Sequence, residues 1–501
     1  MNELLNGLKN DTNYTFTENG GLTHTTTRSD LLDMFAMGAA MRNRDDADVI
    51  LMFRKAYKEN PEYAMKCLFY IGDCRGGQGE RRFFRVIMKW LAQNHTEIAR
   101  RNLEYVPFYR RWDDLYTFEG TKLEKDAFSI MRHQLALDVS CKTPSLLAKW
   151  LKSENASSYE TARLANITRT YFGMTHKQYR KTLSFLREKI NIVERLMSEN
   201  RWDEIEFDKI PSRAGLIYKN AFARRDIIKA KYEKFAKDEK TTVNAGTLYP
   251  YEVVEKAISV GCGYCYTEDK SVDRAMVNKY WANLTDYFNG ASLNALAMID
   301  TSGSMRGTPI DVAISLGMYC AERANGPFAN HYISFSSRPQ LIECEGIDFV
   351  DKVRRIYETN LCENTNIEAA FDMVLNTAVK NKVPQNAMPD TIIVVSDMEF
   401  DSAQGSWSMR DGYRLSTLNK NTADTVMETI ANKWISYGYK LPHLIYWNVD
   451  ARQDNIPMIG NGRVSYVSGF SPSIFQTIMT GKTGYELMME TLNKERYAVI
   501  H

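Results

Sequence analysis

The chain has 501 residues, which is too many for one simple hydrophobic core and indicates two or three domains. Its hydrophobic content of 44% and charged content of 25% are those of an ordinary soluble globular protein. No window approaches the roughly 18 uninterrupted apolar residues that a membrane span needs. The first residues, MNELLNGLKNDTNYTF, lack a basic region followed by an apolar core, so the sequence also predicts no secretory signal.

The cysteines are few for the length of the chain and scattered. They are Cys67, Cys74, Cys141, Cys262, Cys265, Cys320, Cys344 and Cys362. This pattern favours reduced thiols over a disulfide framework, and we therefore expect a cytoplasmic protein. Cys262 and Cys265 form one CxxC pair, but no further pair of zinc ligands follows at tidy spacing, so half-buried thiols are favoured over a zinc site.

The net charge of +2 conceals an asymmetry between the two parts of the chain. Residues 1–290 carry 46 Lys and Arg against 39 Asp and Glu, whereas the remainder carries 18 against 23. Residues 141–240 alone hold 22 basic and 13 acidic side chains. A local basic excess is compatible with nucleic-acid binding. The alternative is that these lysines and arginines solvate helix faces.

The chain from about Ser29 to Phe288 shows helical periodicity almost throughout. Helices are predicted at LLDMFAMGAAMRN, DADVILMFRKAYKEN, PEYAMKCLFYIGD, RRFFRVIMKWLAQN, PSLLAKWLKSE, HKQYRKTLSFLREKINIVERLMSEN, AFARRDIIKAKYEKFAKDEK and DRAMVNKYWANLTDYF. Pro61 suits a first helical turn, and Asn289 with Gly290 would close the last helix. Closely spaced short helices predict a HEAT-like stack of helix pairs, although no repeat of fixed period is evident.

Beyond Gly290 strands and helices alternate. The strands are LNALAMID, HYISFSS with PQLIEC as a hairpin, TIIVVSD, HLIYWNVD and RVSYVSG, and helices separate most of them. This order predicts a doubly wound, mostly parallel sheet covered on both faces. The fold class is therefore α + α/β, with an N-terminal extension over residues 1–28, a helical module over 29–290 and an α/β domain over 291–501.

Polar residues follow the ends of these predicted strands, where ligands of doubly wound sheets bind. Asp300, Ser302 and Ser304 share the tight turn after the first strand, Thr365 opens a helix, and Asp397 ends the strand TIIVVSD. Five oxygen ligands of low total charge suit Mg²⁺ or another divalent cation. One coordination position would stay open for a carboxylate or phosphate oxygen from outside.

Three further residues lie beside this set. Glu399 and Asp401 either shape the cation site or belong to a solvated loop. Arg306 is expected to contact the loop or the solvent rather than a substrate.

Enzymatic interpretations are weaker, and we expect no catalytic residues. A haloacid-dehalogenase phosphatase needs a second acid two residues after the first, where this chain has Ser302. The chain contains no phosphate loop of the GxxxxGK[ST] type. Ser302 or Ser304 as a nucleophile would need a histidine base, and none of the seven histidines has a triad context.

The order of these three segments resembles the metal-ion-dependent adhesion site of von Willebrand A domains. In that comparison Asp300, Ser302 and Ser304 match the first loop, Thr365 the second and Asp397 the third. The resemblance implies one bound Mg²⁺ and recognition of an acidic side chain on a partner protein.

The whole chain resembles the Ro autoantigen group, in which a helical telomerase, Ro and vault module is followed by an A domain. It is still more similar to a family of unknown function, domain number 2828. The motifs that carry this resemblance are FYIGDCRGGQGERRFFR, VPFYRRWDDLY, IPSRAGLIYKNAFARRD, NAGTLYPYEVV, DTSGSM and VVSDMEFD.

The Ro resemblance implies binding of small or single-stranded RNA, and three basic clusters have compatible chemistry. The residues singled out are Arg75, Arg81 and Arg82 around a glycine-rich turn, Lys177, Arg180 and Lys181 with His176 and Arg187 on one helix beside Tyr179, and Arg213, Lys219, Arg224 and Arg225 near Tyr218. Each cluster has an alternative, because a helix–helix turn or a solvated helix face explains the same residues.

The sequence thus predicts a non-enzymatic RNA-binding scaffold with a cation-dependent A domain. The alternative is a metal-dependent protein-interaction adaptor that does not bind RNA. A metal-dependent nuclease or phosphatase is a third and weaker hypothesis.

Overall fold

The computed structural model describes most of the chain. The described residues are 13–190, 192–261, 270–288, 290, 293–324, 326–335, 338–359, 365–402, 425–459 and 463–501. The CxxC pair, Cys262 and Cys265, lies outside the described residues. The five described cysteines, Cys67, Cys74, Cys141, Cys320 and Cys344, are free thiols, as the sequence predicted.

Two compact units alternate along the chain. The first comprises Met1–Cys67, Tyr249–Lys270 and Leu284–Lys494, and the second comprises Leu68–Leu248, Ser271–Asn283 and Glu495–His501. The sequence predicted two boundaries, after residue 28 and after residue 290. Instead, the N-terminal segment and residues 249–270 belong with the α/β unit, and the last seven residues belong with the helical unit.

Helices dominate the chain up to Ala282 and separate the later strands. They are α1 (Asp30–Met37), α2 (Asp46–Glu59), α3 (Pro61–Gly72), α4 (Arg81–Asn94), α5 (Thr96–Asn102), α6 (Val106–Tyr109), α7 (Glu124–Ser140), α8 (Leu147–Trp150), α9 (Tyr159–Tyr171), α10 (His176–Lys189), α11 (Val193–Ser198), α12 (Ser212–Arg224), α13 (Asp226–Lys237), α14 (Pro250–Gly261), α15 (Ser271–Ala282), α16 (Thr308–Arg323), α17 (Phe349–Thr359), α18 (Ile367–Lys380), α19 (Val426–Ser436), α20 (Ile474–Ile478) and α21 (Gly484–Leu492).

The strands form a small hairpin and one larger sheet. Strands β1 (Tyr14–Phe16) and β2 (Leu22–His24) pair antiparallel. The six-stranded sheet contains β3 (Ala295–Asp300), β4 (His331–Phe335), β5 (Gln340–Glu343), β6 (Thr391–Ser396), β7 (His443–Asn448) and β8 (Val464–Ser468), in the order β5-β4-β3-β6-β7-β8. All neighbours are parallel except β4 and β5. The predicted doubly wound, mostly parallel sheet is confirmed.

Burial explains why the sheet strands read as continuous apolar runs. Every residue of β3 and β8 is buried, and in β6 and β7 only the first residue is partly exposed. Strands covered on both faces cannot alternate apolar and polar side chains. Helix α16 packs against β3, β4 and β6, while α1 and α21 pack against β8.

Several predicted helices are shorter than their sequence pattern. The segment from His176 to Asn200 forms α10 and α11 rather than one helix, since the backbone of Ile192 is extended. The helix predicted to end at Asn289 and Gly290 ends at Ala282 instead. Pro61 begins α3, as predicted.

A buried arginine–aspartate cluster holds together the start of the helical unit. Arg110 and Asp114 are almost completely buried, and their side chains are 3.2 Å apart. Arg110 also donates to the carbonyl oxygens of Gly72 and Glu80. Burial alone would raise the pKa of Asp114, but Arg110, Arg85 and Arg81 outweigh it and lower the pKa to about 2. Asp114 is therefore an ionised carboxylate in the interior of the unit.

We expect a pH dependence of stability from Asp33 in helix α1. Burial raises the pKa of its carboxyl to about 6, against the effect of hydrogen bonds from Thr26 and Thr27. The folded state therefore binds the proton more tightly than the unfolded state, and the corresponding stability is present below about pH 4 and lost as pH rises through about 6.

The variant Asp33→Asn tests this expectation. Between pH 4 and pH 7 the free energy of unfolding of the wild type should fall by about 2 kcal/mol relative to that of the variant, since each pKa unit corresponds to about 1.4 kcal/mol. Thermal unfolding at a series of pH values measures the difference. The exposed Glu486 provides a control, because Glu486→Gln should follow the wild-type curve. Parallel curves for the wild type and Asp33→Asn would contradict the assignment.

In the described part of the chain no helix is both long enough and apolar enough to cross a bilayer.

Candidate functional site

The candidate site lies at the carboxyl ends of β3 and β6. In the order β5-β4-β3-β6-β7-β8, the chain leaves β3 toward one edge of the sheet and returns to β6 on the other side. Ligands of doubly wound sheets bind at this reversal, outside the strand ends. Asp300 ends β3, and Asp397 directly follows β6.

The first loop forms a tight polar turn. The backbone N–H of Ser302 donates to Asp300 Oδ1 at 3.0 Å, and the Oγ atoms of Ser302 and Ser304 are 3.0 Å apart. A backbone bond from Thr301 N to Phe335 O ties the turn to the end of β4. The local D-x-S-x-S spacing therefore places one carboxylate and two hydroxyls together, as the sequence predicted.

Ser396 joins the first loop to the third. Its hydroxyl donates to Asp300 Oδ2 at 2.6 Å and lies 3.5 Å from Asp397 Oδ1. The same Oγ accepts the backbone N–H of Met398, whose φ of +66° is uncommon for a residue other than glycine. The two predicted carboxylate ligands are therefore within reach of one hydroxyl, and both are buried.

Thr365, in the second loop, is hydrogen-bonded to the third loop, which follows β6. Its carbonyl oxygen accepts the backbone N–H of Asp401 at 3.0 Å, and its Oγ1 is 3.2 Å from Asn19 Nδ2. Thr365 lies two residues before α18, whose N-cap is Asn366, so it precedes the helix rather than opening it. The structure thus places all five predicted ligands in three loops at one edge of the sheet.

Arg452 is a component of the site that the sequence did not identify. It follows β7, the neighbour of β6, and its Nη2 lies 2.6 Å from Asp397 Oδ2. Its Nη1 lies 2.7 Å from Glu18 Oε2. A guanidinium therefore pairs with one of the two predicted carboxylate ligands. The position of Arg452 after a parallel strand was the available sequence signal.

The N-terminal hairpin supplies the other unpredicted residues. Its turn, from Thr17 to Gly21, lies against the third loop. Thr17 Oγ1 donates to the carbonyl oxygen of Phe400 at 2.6 Å, and Asn19 Nδ2 donates to the carbonyl oxygen of Glu399 at 2.5 Å. A Cβ on Gly21 would lie 2.5 Å from Phe400 O, so only glycine fits this approach. The predicted N-terminal extension therefore contains an ordered part of the site.

Glu399 anchors this hairpin and is not a solvated loop residue. It is fully buried, and its carboxylate accepts the backbone N–H of Glu18 at 2.7 Å and Nδ2 of Asn455 at 2.9 Å. Burial raises its pKa to about 7. Asp401 is partly exposed, and its backbone forms an isolated antiparallel β-bridge with Gly20. Arg306 is exposed.

The electrostatic environment of Asp300 fits a bound cation. Burial, and then the neighbouring Asp397 carboxylate, raise the pKa of Asp300 well above its usual value. A divalent cation would offset both effects by supplying positive charge next to the carboxylate. The donor set consists only of carboxylate and hydroxyl oxygens, which suits Mg²⁺ better than a soft metal.

Among the described residues there is no group of three or more His, Cys, Asp and Glu side chains that could share a metal ion. The predicted site contains only two carboxylates and draws its other ligands from hydroxyl groups.

The glycine-rich turn at residues 75–82 has a structural role. Arg75 Nη1 donates to Phe108 O at 2.5 Å, and Arg81 Nη2 pairs with Asp114 at 3.2 Å. Arg81 and Arg82 are the first two residues of α4, and both are partly buried. These contacts favour the helix–helix turn that the sequence analysis left as the alternative.

The basic helix α10 presents some of its predicted RNA-contacting residues to solvent. Lys177, Arg180 and Lys181 are exposed. Tyr179 is fully buried, and its hydroxyl donates to Lys152 O, so its ring does not lie on the surface where a nucleotide base could stack. Arg187 is likewise structural, because its guanidinium donates to Ala148 O, Leu151 O and Ser153 Oγ.

The last basic cluster is divided among different environments. Arg213, Arg224 and Arg225 are exposed, and the guanidinium of Arg225 lies 5.1 Å from the ring of Trp202. Lys219 pairs with Asp273 at 3.3 Å.

Comparison with known proteins connects the chain to two described families. Residues 294–498 match a family described as "Domain of unknown function (DUF7788)". Residues 17–117 and 134–291, together just over half of the chain, match "Domain of unknown function (DUF2828)".

A relative and a solved structure cover nearly the whole length. "Uncharacterized protein L728" of Acanthamoeba polyphaga mimivirus is 28% identical over 519 aligned positions, which include 94% of this chain and 85% of the viral protein. The crystal structure of the Deinococcus radiodurans RO (RSR) protein aligns with 94% of this chain and 100% of that chain, at 12% identity and a TM-score of 0.38. The family match over half of the sequence shows that the chain belongs to the DUF2828 family.

Proposed function

We propose that the chain is a non-enzymatic scaffold that binds one divalent cation and, through it, an acidic partner. Asp300, Ser302, Ser304, Thr365 and Asp397 would hold the cation. The observation that carries this proposal is the Ser396 hydroxyl between the two buried carboxylates, 2.6 Å from Asp300 Oδ2 and 3.5 Å from Asp397 Oδ1. It brings the first and third loops together where the strand order reverses.

The chemistry of the site favours binding over catalysis. Two carboxylates neutralise a divalent cation only formally, and Arg452 already takes up part of the charge of Asp397. A bound Mg²⁺ would therefore attract a further anionic oxygen. In the described part of the chain neither Ser302 nor Ser304 is hydrogen-bonded to a histidine, so neither hydroxyl has the base that a serine nucleophile uses.

Isothermal titration calorimetry with Mg²⁺ tests the proposal on the full chain after removal of metals by EDTA. We expect one binding site per chain. Binding should release protons near pH 7, since the cation favours the ionised form of Asp300. Titrations in two buffers of different ionisation enthalpy measure this release. The absence of a saturable heat with Mg²⁺, Mn²⁺ and Ca²⁺ would refute the proposal.

RNA binding by the helical unit is a second proposed function, supported by the exposed face of α10. Lys177, Arg180 and Lys181 lie within five residues of one another and are exposed to solvent. Three cations so spaced can neutralise successive phosphates of a single strand. The free thiols of the described cysteines are consistent with our proposal that this scaffold works in the cytoplasm.

The salt dependence of binding distinguishes RNA from a peptide ligand. The variant Lys177→Glu/Arg180→Glu/Lys181→Glu should reduce the slope of log affinity against log salt by about 2, at about 0.7 per phosphate contact. Fluorescence anisotropy with a labelled single-stranded RNA measures the slope. Lys229→Glu/Lys234→Glu/Lys237→Glu changes the charge equally on the exposed face of α13 and serves as the control. Equal slopes for both variants would exclude α10 as the RNA contact.

A further inference from the structure

The side chain of Glu18 is held by Arg452 beside the candidate cation site. Glu18 and Asn19 occupy the tip of the β1–β2 hairpin, in the turn closed by the bond from Gly20 N to Thr17 O at 3.0 Å. Glu18 Oε2 lies 2.7 Å from Arg452 Nη1. This hairpin therefore presents a carboxylate to a guanidinium that also contacts a predicted metal ligand.

Arg452 has the geometry of an anion-binding residue rather than of a buried structural ion pair. Its side chain is 29% exposed, and that of Glu18 is 38% exposed. Its Nη2 is fixed by Asp397 at 2.6 Å, whereas its buried Nε has no hydrogen-bond partner among the described residues. The guanidinium thus has donors in excess of those that Glu18 and Asp397 use.

The hairpin reaches the second loop as well. Asn19 Nδ2 lies 3.2 Å from Thr365 Oγ1, so adjacent residues of one turn contact a guanidinium and a predicted ligand of the cation. Glu18 thus lies beside two of the loops that carry the predicted ligands.

We propose that Arg452 and the cation together bind an incoming carboxylate, and that Glu18 occupies this position in cis until an acidic side chain of a partner protein replaces it. This inference rests on the proposed cation-binding function. The tethered Glu18 competes at an effective concentration in the millimolar range, which lowers the apparent affinity for an external carboxylate. Arg452 then determines the specificity for a carboxylate ligand, because its planar fork matches carboxylate geometry.

Binding of a capped glutamate, N-acetyl-glutamate methylamide, to the full chain in saturating Mg²⁺ tests the proposal. The variant Glu18→Ala should bind this probe at least ten-fold more tightly than the wild type, and capped glutamine should not bind. The double variant Glu18→Ala/Arg452→Gln should bind the probe no more tightly than the wild type does. The variant Glu18→Ala/Arg452→Lys, which keeps the charge without the fork, should retain only part of it. Circular dichroism confirms that each variant is folded.

Three results would overturn the inference. In the first, Glu18→Ala binds capped glutamate no more tightly than the wild type does. In the second, adding Arg452→Gln to Glu18→Ala leaves the affinity for capped glutamate unchanged. In the third, capped glutamine binds as tightly as capped glutamate. If Mg²⁺ binds but the probe does not, the inference fails and the proposed cation site stands. If Mg²⁺ does not bind, the proposed function fails, and Arg452-dependent binding of the probe in EDTA would show an anion site without a cation.

Discussion

The variant Asp300→Asn is expected to lose Mg²⁺ affinity by at least about 100-fold. Loss of an outer-shell partner of a metal ligand already costs 10- to 100-fold in affinity, and Asp300 is one of only two carboxylates in the predicted set. The asparagine keeps one acceptor oxygen for the N–H of Ser302 or the hydroxyl of Ser396, so the loop geometry should survive. Calorimetry with Mg²⁺ on the wild type and the variant measures the loss.

The same variant should increase the stability of the metal-free protein. Burial and Asp397 raise the pKa of Asp300, so the ionised carboxylate destabilises the metal-free fold above neutral pH. Asp300→Asn should therefore be more stable than the wild type in EDTA at pH 8, by about 1–3 kcal/mol. The exposed Glu345 provides a control, because Glu345→Gln should change neither property. Unchanged Mg²⁺ affinity in Asp300→Asn would show that Asp300 is not a ligand.

The variant Asp114→Ala is expected to destabilise the helical unit by about 3–5 kcal/mol. It leaves the buried guanidinium of Arg110 without its carboxylate partner, and removal of one member of a buried ion pair has a cost of this size. Arg81 and Arg85 lose the same partner. Urea unfolding followed by circular dichroism measures the loss. Hydrogen exchange should show it as faster exchange in residues 70–118.

An exposed ion pair in the same unit provides the matched control. Arg100 and Asp126 are 3.1 Å apart with side chains 47% and 42% exposed, so Asp126→Ala should cost less than about 1 kcal/mol. Comparable losses for Asp114→Ala and Asp126→Ala would contradict the structural role of the buried cluster. The low pKa of Asp114 also predicts that its contribution to the stability of the helical unit is present above about pH 4 and is lost as pH falls toward 2.

The parallel sheet and the first loop of the site were predictable because their signals are local. Strands buried on both faces appear as short apolar runs, and in D-x-S-x-S the predicted ligands are two residues apart. Asp397 could be assigned to the same site because parallel strands end at one edge of the sheet. Ser396 was missed, although it directly precedes Asp397, since its role depends on a contact with Asp300 that is 96 positions away.

The hairpin and Arg452 could not be predicted from local patterns. Glu18 N and its acceptor Glu399 are 381 positions apart, and no periodicity connects an N-terminal turn with a loop of the sheet. The basic helix α10 shows a different limit. Its sequence places Tyr179 among lysines and arginines, but only the packing of the helix decides that the tyrosine is buried while Lys177 and Lys181 are exposed.

The most direct test of the cation site is anomalous scattering from crystals of the full chain soaked in Mn²⁺. The proposal predicts a single manganese peak at the carboxyl end of β3, within bonding distance of oxygen atoms of Asp300, Ser302, Ser304, Thr365 and Asp397. No peak at this position, at a Mn²⁺ concentration that saturates calorimetric binding, would contradict the account.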